Sequence, residues 1–312
     1  MSILHLSQFF FNAFVLGLFL DFALRICLQS GQRKFCLSCQ ATQREQYFLW
    51  SYIVINVFID YSHINFVNIL HLFSMAGVAE MLTEESIKQG HKSIVLQMKS
   101  LDPFGFGSYY GNTIYFDSVD KLLQTAWELS NTADYIILHD FVEYYREFPE
   151  NKLILYFHGT KLREFLKNDV EFHRIKDKFK IIVSTPDLLD IIPDALYLPA
   201  PCDRNLFKEN PQKNGKWLTI NRDYQKEFIE KKIRTRYPDV EYRNRQKEII
   251  PYDQMPQYLS QYENYVDWKF DYSKPEPKSI SASSCTAIQA LSCGCRVWDK
   301  DGLELSPMLL LL

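Results

Sequence analysis

The chain has 312 residues, of which 47% are hydrophobic and 23% are charged, and its formal net charge is −3. This length is enough for about two domains with substantial cores, and the slightly acidic balance argues against a nucleic-acid-binding protein, which is usually clearly basic. The seven cysteines are an odd number spread along the chain, so they predict reduced thiols in a cytoplasmic protein rather than a disulfide framework.

The first 66 residues differ in composition from the rest. They hold ten of the 23 phenylalanines, only seven charged residues and two apolar blocks, Phe9–Leu28 and Tyr47–Tyr61. The first block approaches the roughly 20 residues that a membrane-spanning helix needs. Three interpretations stay open: a membrane anchor, a buried helical appendage, or a mis-extended start with Val67 as the natural first residue. We rank the mis-extended start ahead of the anchor.

Two cysteines in this segment, Cys36 and Cys39, have the spacing of half a zinc site. No second cysteine pair or histidine pair follows nearby, although a tetrahedral zinc ion takes four ligands. We therefore predict no metal site.

From Val67 onward, short apolar strands alternate with helices. The predicted strands are VNILHLF, SIVLQM, DYIILHD, KLILYFHGT and KIIVST. Helices are predicted after Ser74 and over Ser118–Ser130, whereas LDPFGFGSYYGNT has the composition of a loop. This alternation predicts a parallel, doubly wound α/β sheet in residues 67–200, with ligands bound beyond the carboxyl ends of its strands.

A Pro- and Asn-rich linker, Leu196–Gly215, precedes a second α/β region. Its predicted strands are KWLTI, NYVDW and CRVW, and its predicted helices are QKEFIEKKIRTRY, MPQYLSQY and TAIQALS. We therefore predict two Rossmann-like doubly wound domains, residues 67–200 and 201–312, that face a cleft. Because the sequence stops soon after the last predicted strand, we expect the second domain to be incomplete.

Four stretches of this region carry a family resemblance. They are SMAGVAEMLTEESIKQGHKSIVL at Ser74, LYLPAPCDRNLF at Leu196, PYDQMPQYLSQYENYVD at Pro251 and TAIQALSCGCRVW at Thr286. Together, over about residues 67–302, they resemble the group 1 retaining glycosyltransferases, which have the GT-B fold. The resemblance implies a nucleotide-sugar donor as substrate, no further cofactor, and transfer of its sugar to a glycan or lipid-linked acceptor.

The resemblance also implies that the donor's diphosphate lies at the N-terminus of the helix in TAIQALS. Ser284 and Thr286 would offer hydroxyl groups there, and a helix N-terminus attracts an anion, although an ordinary N-cap explains the same residues. Where the family carries two glutamates eight residues apart, this chain has Ser281 and Gln289. Gln289 keeps an acceptor for a ribose hydroxyl, whereas Ser281 lacks the charge of a sugar-contacting carboxylate.

Three further residues are candidates by the same resemblance. Arg222 and Lys226 would neutralise the diphosphate, and Gly77 belongs to a loop that would approach the donor from the opposite domain. His158 is the candidate catalytic residue because it follows a predicted strand, where it would touch the transferred sugar, and His139 and Asp140 occupy a neighbouring strand end. Solvated basic residues, a flexible turn and a structural histidine are the simpler explanations of these positions.

We therefore predict a cytoplasmic glycosyltransferase without a nucleic-acid partner. The basic run Lys226–Glu248 is most simply a solvated helix face, and as an alternative it would hold the protein at the anionic inner face of the membrane. The replaced glutamates favour, as an alternative, a nucleotide-sugar-binding module without catalysis. A nucleotide-sugar epimerase of the same fold and a membrane protein whose residues 1–66 are the functional part also stay open.

Overall fold

The computed structural model describes residues 66–159, 162, 169–221, 226–245, 247–271, 278–280 and 284–305. These residues belong to one compact unit, Asn65–Leu312. The predictions made for residues 1–65, with Cys36 and Cys39, lie outside them. Within the described ranges, no helix has both the length and the apolar character that a membrane span requires.

The first half of this unit is built on a seven-stranded sheet in which every pairing is parallel. Its strands are β1 Asn68–Leu72, β2 Lys92–Met98, β3 Thr113–Phe116, β4 Tyr135–His139, β5 Leu153–Phe157, β6 Lys180–Val183 and β7 Leu196–Tyr197. The connections contain helices α1 Val78–Lys88, α2 Phe106–Tyr110, α3 Val119–Ser130 and α4 Asp169–Lys176, with short 3₁₀ helices between several of them. The strand order is β3-β2-β1-β4-β5-β6-β7, so the winding direction reverses between β1 and β4.

The second half is built on a five-stranded sheet. Its strands are β8 Trp217–Asn221, β9 Val240–Asn244, β10 Asn264–Val266, β13 Arg296–Trp298 and β14 Glu304–Leu305, and β11 Lys269–Asp271 and β12 Lys278–Ile280 form a separate hairpin. The helices here are α5 Lys226–Arg236, α6 Met255–Leu259 and α7 Cys285–Ser292. In the order β14-β13-β10-β8-β9 only β14 is antiparallel, and the winding reverses between β8 and β10.

The alternation of side chains along the first sheet separates its two faces. Leu70, Leu72 and Leu138 point to the face covered by α3, where they pack with Leu122 and Ala126 in one core. The residues between them, including His71 and His139, therefore point to the opposite face. This pattern decides which side of the sheet carries the polar site.

The α/β class and the strand–helix alternation predicted from the sequence are confirmed. Sequence reasoning missed the four edge strands of the two sheets, β3, β7, β9 and β14, and the two strands of the hairpin, β11 and β12. The edge strands do not read as buried apolar runs, because residues of an edge strand stay partly exposed: β3, β7 and β14 have no buried residue, and only the two ends of β9 are buried. A parallel edge strand of this kind lacks the apolar signal on which the prediction depends.

The segment predicted as a loop contains the short helix α2. The Asp102 carboxylate accepts hydrogen bonds from the N–H groups of Phe106 at 3.0 Å and Gly107 at 2.9 Å, which caps the helix. Phe106 then packs in the core of the second sheet, with Leu218 and Tyr252. Helix α2 thus connects the two halves of the unit.

Candidate functional site

Three histidine rings form a continuous row across the first sheet, on the side opposite α3. Nδ1 of His71 lies 3.0 Å from Nε2 of His139, and Nδ1 of His139 lies 2.9 Å from Nε2 of His158. The rings of His139 and His158 stack, with an interplanar angle of 7°. We call these three residues the histidine row.

Strand register explains why the three rings meet. His71 on β1 is paired with Ile137, and His139 lies two residues beyond Ile137 on β4. His139 is in turn paired with Tyr156 on β5, and His158 lies two residues beyond Tyr156. Side chains two residues apart along a strand lie on the same face of the sheet. The row therefore runs diagonally across this face, from β1 to the carboxyl end of β5.

Burial favours the neutral form of the histidine row. His71 and His139 are buried, and His158 is half-buried. Burial lowers the pKa of His71 to about 3 and that of His139 well below its ordinary value, and it also lowers the pKa of His158. The closeness of the rings adds to this effect at His139, because a second positive charge beside the first is unfavourable.

Asp140 holds the exposed end of the row in place. It is buried, and its Oδ1 accepts a hydrogen bond of 2.7 Å from the backbone N–H of His158. Asp140 has a left-handed backbone, with φ of 60°, as do Phe73 and Ala76 in the loop after β1. Such conformations cost about 1 kcal/mol or more in residues other than glycine and cluster at functional sites. Here they flank the reversal point of the sheet.

A buried carboxyl group, that of Glu80 in the first turn of α1, belongs to the same edge of the sheet. The hydroxyl of Ser74 donates to Glu80 Oε2 and accepts a hydrogen bond of 3.2 Å from the N–H of Ala79. Burial is the main reason why the pKa of Glu80 rises to about 7. Sequence reasoning missed Glu80, although a glutamate at the start of an apolar helix six residues after a serine was the available signal.

Gly77 lies in this loop, directly before α1, with φ of 76°. A Cβ atom at this position would overlap the ring of Phe106. The left-handed backbone and the contact with Phe106 both explain why a glycine occupies this position without involving a ligand. It allows helix α2 to pack closely against the start of α1.

At the N-terminus of α7, Ser284 is the N-cap residue. Its hydroxyl oxygen accepts a hydrogen bond of 3.0 Å from the N–H of Ala287. The same hydroxyl donates to Asp267 Oδ1 at 2.8 Å, and the N–H of Ser284 donates to Asp267 Oδ2 at 3.1 Å. Asp267 follows directly after β10, where the second sheet reverses its winding. A carboxylate therefore already lies at this helix N-terminus, a feature that the sequence did not reveal because 17 residues separate the two partners.

Of the other predicted donor-site residues, the structure describes some and leaves others outside its described ranges. Thr286 is half-buried in the first turn of α7, and Gln289 is buried one turn later. Arg222 and Ser281 lie outside the described residues, as does the side chain of Lys226 at the start of α5. The structure thus brings Ser284, Thr286 and Gln289 onto one helix.

One segment of the chain, residues 198–202, contacts both a neighbour of the histidine row and helix α7. Tyr156, whose ring lies 4.3 Å from that of His158, donates a hydrogen bond of 2.7 Å to the carbonyl oxygen of Leu198. Four residues further on, Sγ of Cys202 lies 3.5 Å from the hydroxyl oxygen of Ser292, the last residue of α7. This segment therefore joins the histidine row of the first sheet to a helix of the second half.

Within the described ranges, no group of three or more histidine, cysteine, aspartate or glutamate side chains is arranged to hold a metal ion. The three histidines do not converge on a point, because their ring nitrogens face one another in sequence.

No protein-family model matches this sequence. A search of curated proteins likewise found no significant match.

Proposed function

We propose that this chain is a glycosyltransferase of the GT-B type, which moves a sugar from a nucleotide-sugar donor to a glycan or lipid-linked acceptor. The observation that supports the proposal is the segment 198–202, which contacts both Tyr156 beside His158 and Ser292 of α7. It joins the histidine row, at the carboxyl ends of β4 and β5, to the helix whose N-terminus is the proposed phosphate site. In doubly wound sheets, ligands bind at the carboxyl ends of the strands, beside the point where the winding reverses.

The roles follow from the chemistry of each part. The first turn of α7 presents backbone N–H groups and the positive end of the helix dipole, both of which suit a diphosphate. Arg222 and Lys226 are the candidate cations for this group, and Gln289 is the candidate partner of the ribose. His158, the outermost member of the row, is the candidate catalytic residue beside the transferred sugar.

The proposed phosphate site already contains a carboxylate, that of Asp267. Its carboxylate already takes both donors of Ser284, so we assign the diphosphate to the groups that follow Ser284, including Thr286. A negative charge beside a phosphate weakens its binding. The two proposed cations therefore have to offset Asp267 as well as the diphosphate itself.

A thermal-shift experiment on the full chain tests the proposed ligand class. Nucleoside diphosphates and their sugar conjugates should raise the melting temperature, because a ligand that binds only the folded state stabilises it by about 2.7 kcal/mol at a hundred times its Kd. The matching free nucleosides should have a smaller effect. No shift with any uridine, guanosine, adenosine or cytidine diphosphate would count against the proposal.

Two substitutions serve as opposite controls in the same measurement. Arg222→Ala should weaken diphosphate binding roughly ten- to hundredfold, the effect of losing one charged hydrogen bond. Asp267→Asn should strengthen it by roughly three- to tenfold, because a nearby like charge is removed. Neither should alter the affinity for a free nucleoside. Unchanged diphosphate affinity in both variants would place the phosphate elsewhere.

A further inference from the structure

The two ends of the histidine row are unlike each other. At the inner end, Nε2 of His71 is buried and has no hydrogen-bond partner among the described residues. At the outer end, His158 is half-buried, and its backbone N–H is bound to the carboxylate of Asp140. This asymmetry determines where the protons of the row lie.

Only two proton arrangements satisfy a neutral row. Each neutral imidazole carries one N–H, and each contact between two rings needs one donor and one acceptor. In the first arrangement every ring carries its proton on Nε2, which leaves Nδ1 of His158 bare. In the second every ring carries its proton on Nδ1, which leaves Nε2 of His71 bare and gives His158 an outward N–H group.

Two observations favour the second arrangement. The first arrangement would bury a polar N–H group of His71 without an acceptor, and orphaned buried N–H groups are rarer than orphaned acceptors. The outer end differs, because His158 is only half-buried and an N–H group there can reach solvent or a ligand. Both arguments place the proton of His158 on Nδ1.

We propose that His71 and His139 are positioning residues that hold His158 as the neutral Nδ1–H tautomer. His158 then offers a hydrogen-bond donor at the proposed site and accepts no proton at Nδ1 unless all three rings change tautomer together. This assignment of a donor role towards a ligand oxygen rests on the proposed function. The tautomer itself is a property of the ligand-free protein.

Nitrogen NMR of the full chain, labelled with ¹⁵N-histidine and free of ligand, measures the tautomer directly, because protonated and bare ring nitrogens resonate far apart. We expect His71, His139 and His158 each to show a protonated Nδ1 and a bare Nε2, at neutral pH and well below it. Single substitutions of the three residues assign the signals. A protonated Nε2 on His158, or a cationic ring in the row at neutral pH, would overturn the proposal, even if the chain proves to bind nucleotide sugars.

The variant His139→Phe separates positioning from mere packing. Phenylalanine keeps an aromatic ring between the neighbours and removes the nitrogen that faces His158. The signals of His158 should then move to the averaged positions of an imidazole that exchanges between tautomers. Retention of a pure Nδ1–H form in this variant would show that the row does not set it. His173→Gln, on the exposed side of α4, should leave all three sets of signals unchanged. If His139→Phe does not fold, the spectrum of the unsubstituted protein still decides the tautomer.

Discussion

The buried carboxyl group of Glu80 makes the stability of this fold depend on pH. The pKa of Glu80 is raised from 4.5 to about 7, mainly by burial. Between these values the unfolded chain releases a proton that the folded protein retains, so the free energy of unfolding falls as the pH rises. The loss is complete above pH 7. The depressed pKa values of His71 and His158 act in the opposite direction, since the unfolded chain binds protons there that the folded protein does not.

Comparison with Glu80→Gln isolates the contribution of this carboxyl group, because both proteins contain the same histidines. We expect the stability of the unsubstituted protein, relative to the variant, to fall by on the order of 3 kcal/mol between pH 4.5 and 7.5. Urea denaturation at a series of pH values measures it. A difference that stays constant over this range would mean that Glu80 is ionised in the folded protein.

Helix α2 and the loop before α1 depend on each other through one glycine. Gly77 combines a left-handed backbone with direct contact to the ring of Phe106. Because Phe106 also packs in the core of the second sheet, a change at Gly77 acts on the connection between the two sheets. A substitution at Gly77 therefore affects the loop itself and also the packing between the two sheets.

Gly77→Ala should therefore destabilise the protein by about 2 to 4 kcal/mol, the sum of the left-handed backbone cost and overpacking. Gly111→Ala is the matched control, since Gly111 has a similar φ of 70° but open space around the position of a Cβ atom. It should cost only about 1 kcal/mol. Equal losses in the two variants, measured by denaturant unfolding, would mean that the Phe106 contact contributes nothing.

How far the sequence predicts these elements depends on where each lies. The central strands β1, β4 and β5 are apolar runs buried on both faces, and composition alone identified them. The edge strands and α2 were missed because pairing at a sheet edge and an aspartate cap, respectively, define them.

Prediction of the site from the sequence is limited in the same way. His139 and His158 were recognised at strand ends, whereas His71 lies inside an apolar strand and joins them only through register. Asp267 was missed because tertiary structure alone brings it to Ser284. Residue type and local spacing thus located one end of the site, and the pairing of strands supplied the rest.

In the molecule as a whole, the segment 198–202 joins the histidine row of the first sheet to helix α7 of the second half. Its contacts with Tyr156 at one end and with Ser292 at the other are the link between them. Sugar transfer requires both parts at once, one for the leaving diphosphate and one for the sugar. A protein that only binds a nucleotide sugar would use the same phosphate site without depending on His158 for turnover.

Release of nucleoside diphosphate from a panel of nucleotide sugars, followed with the full chain and with free glycans or water as acceptors of the sugar, is the most direct test of this account. We expect release with at least one donor, and a loss on the order of a hundredfold in rate with little change in donor affinity for His158→Ala, since one donor to the reacting group is removed. His173→Ala should react at the unsubstituted rate. Binding of a donor without release, or equal rates for His158→Ala and the unsubstituted protein, would contradict the proposed transferase.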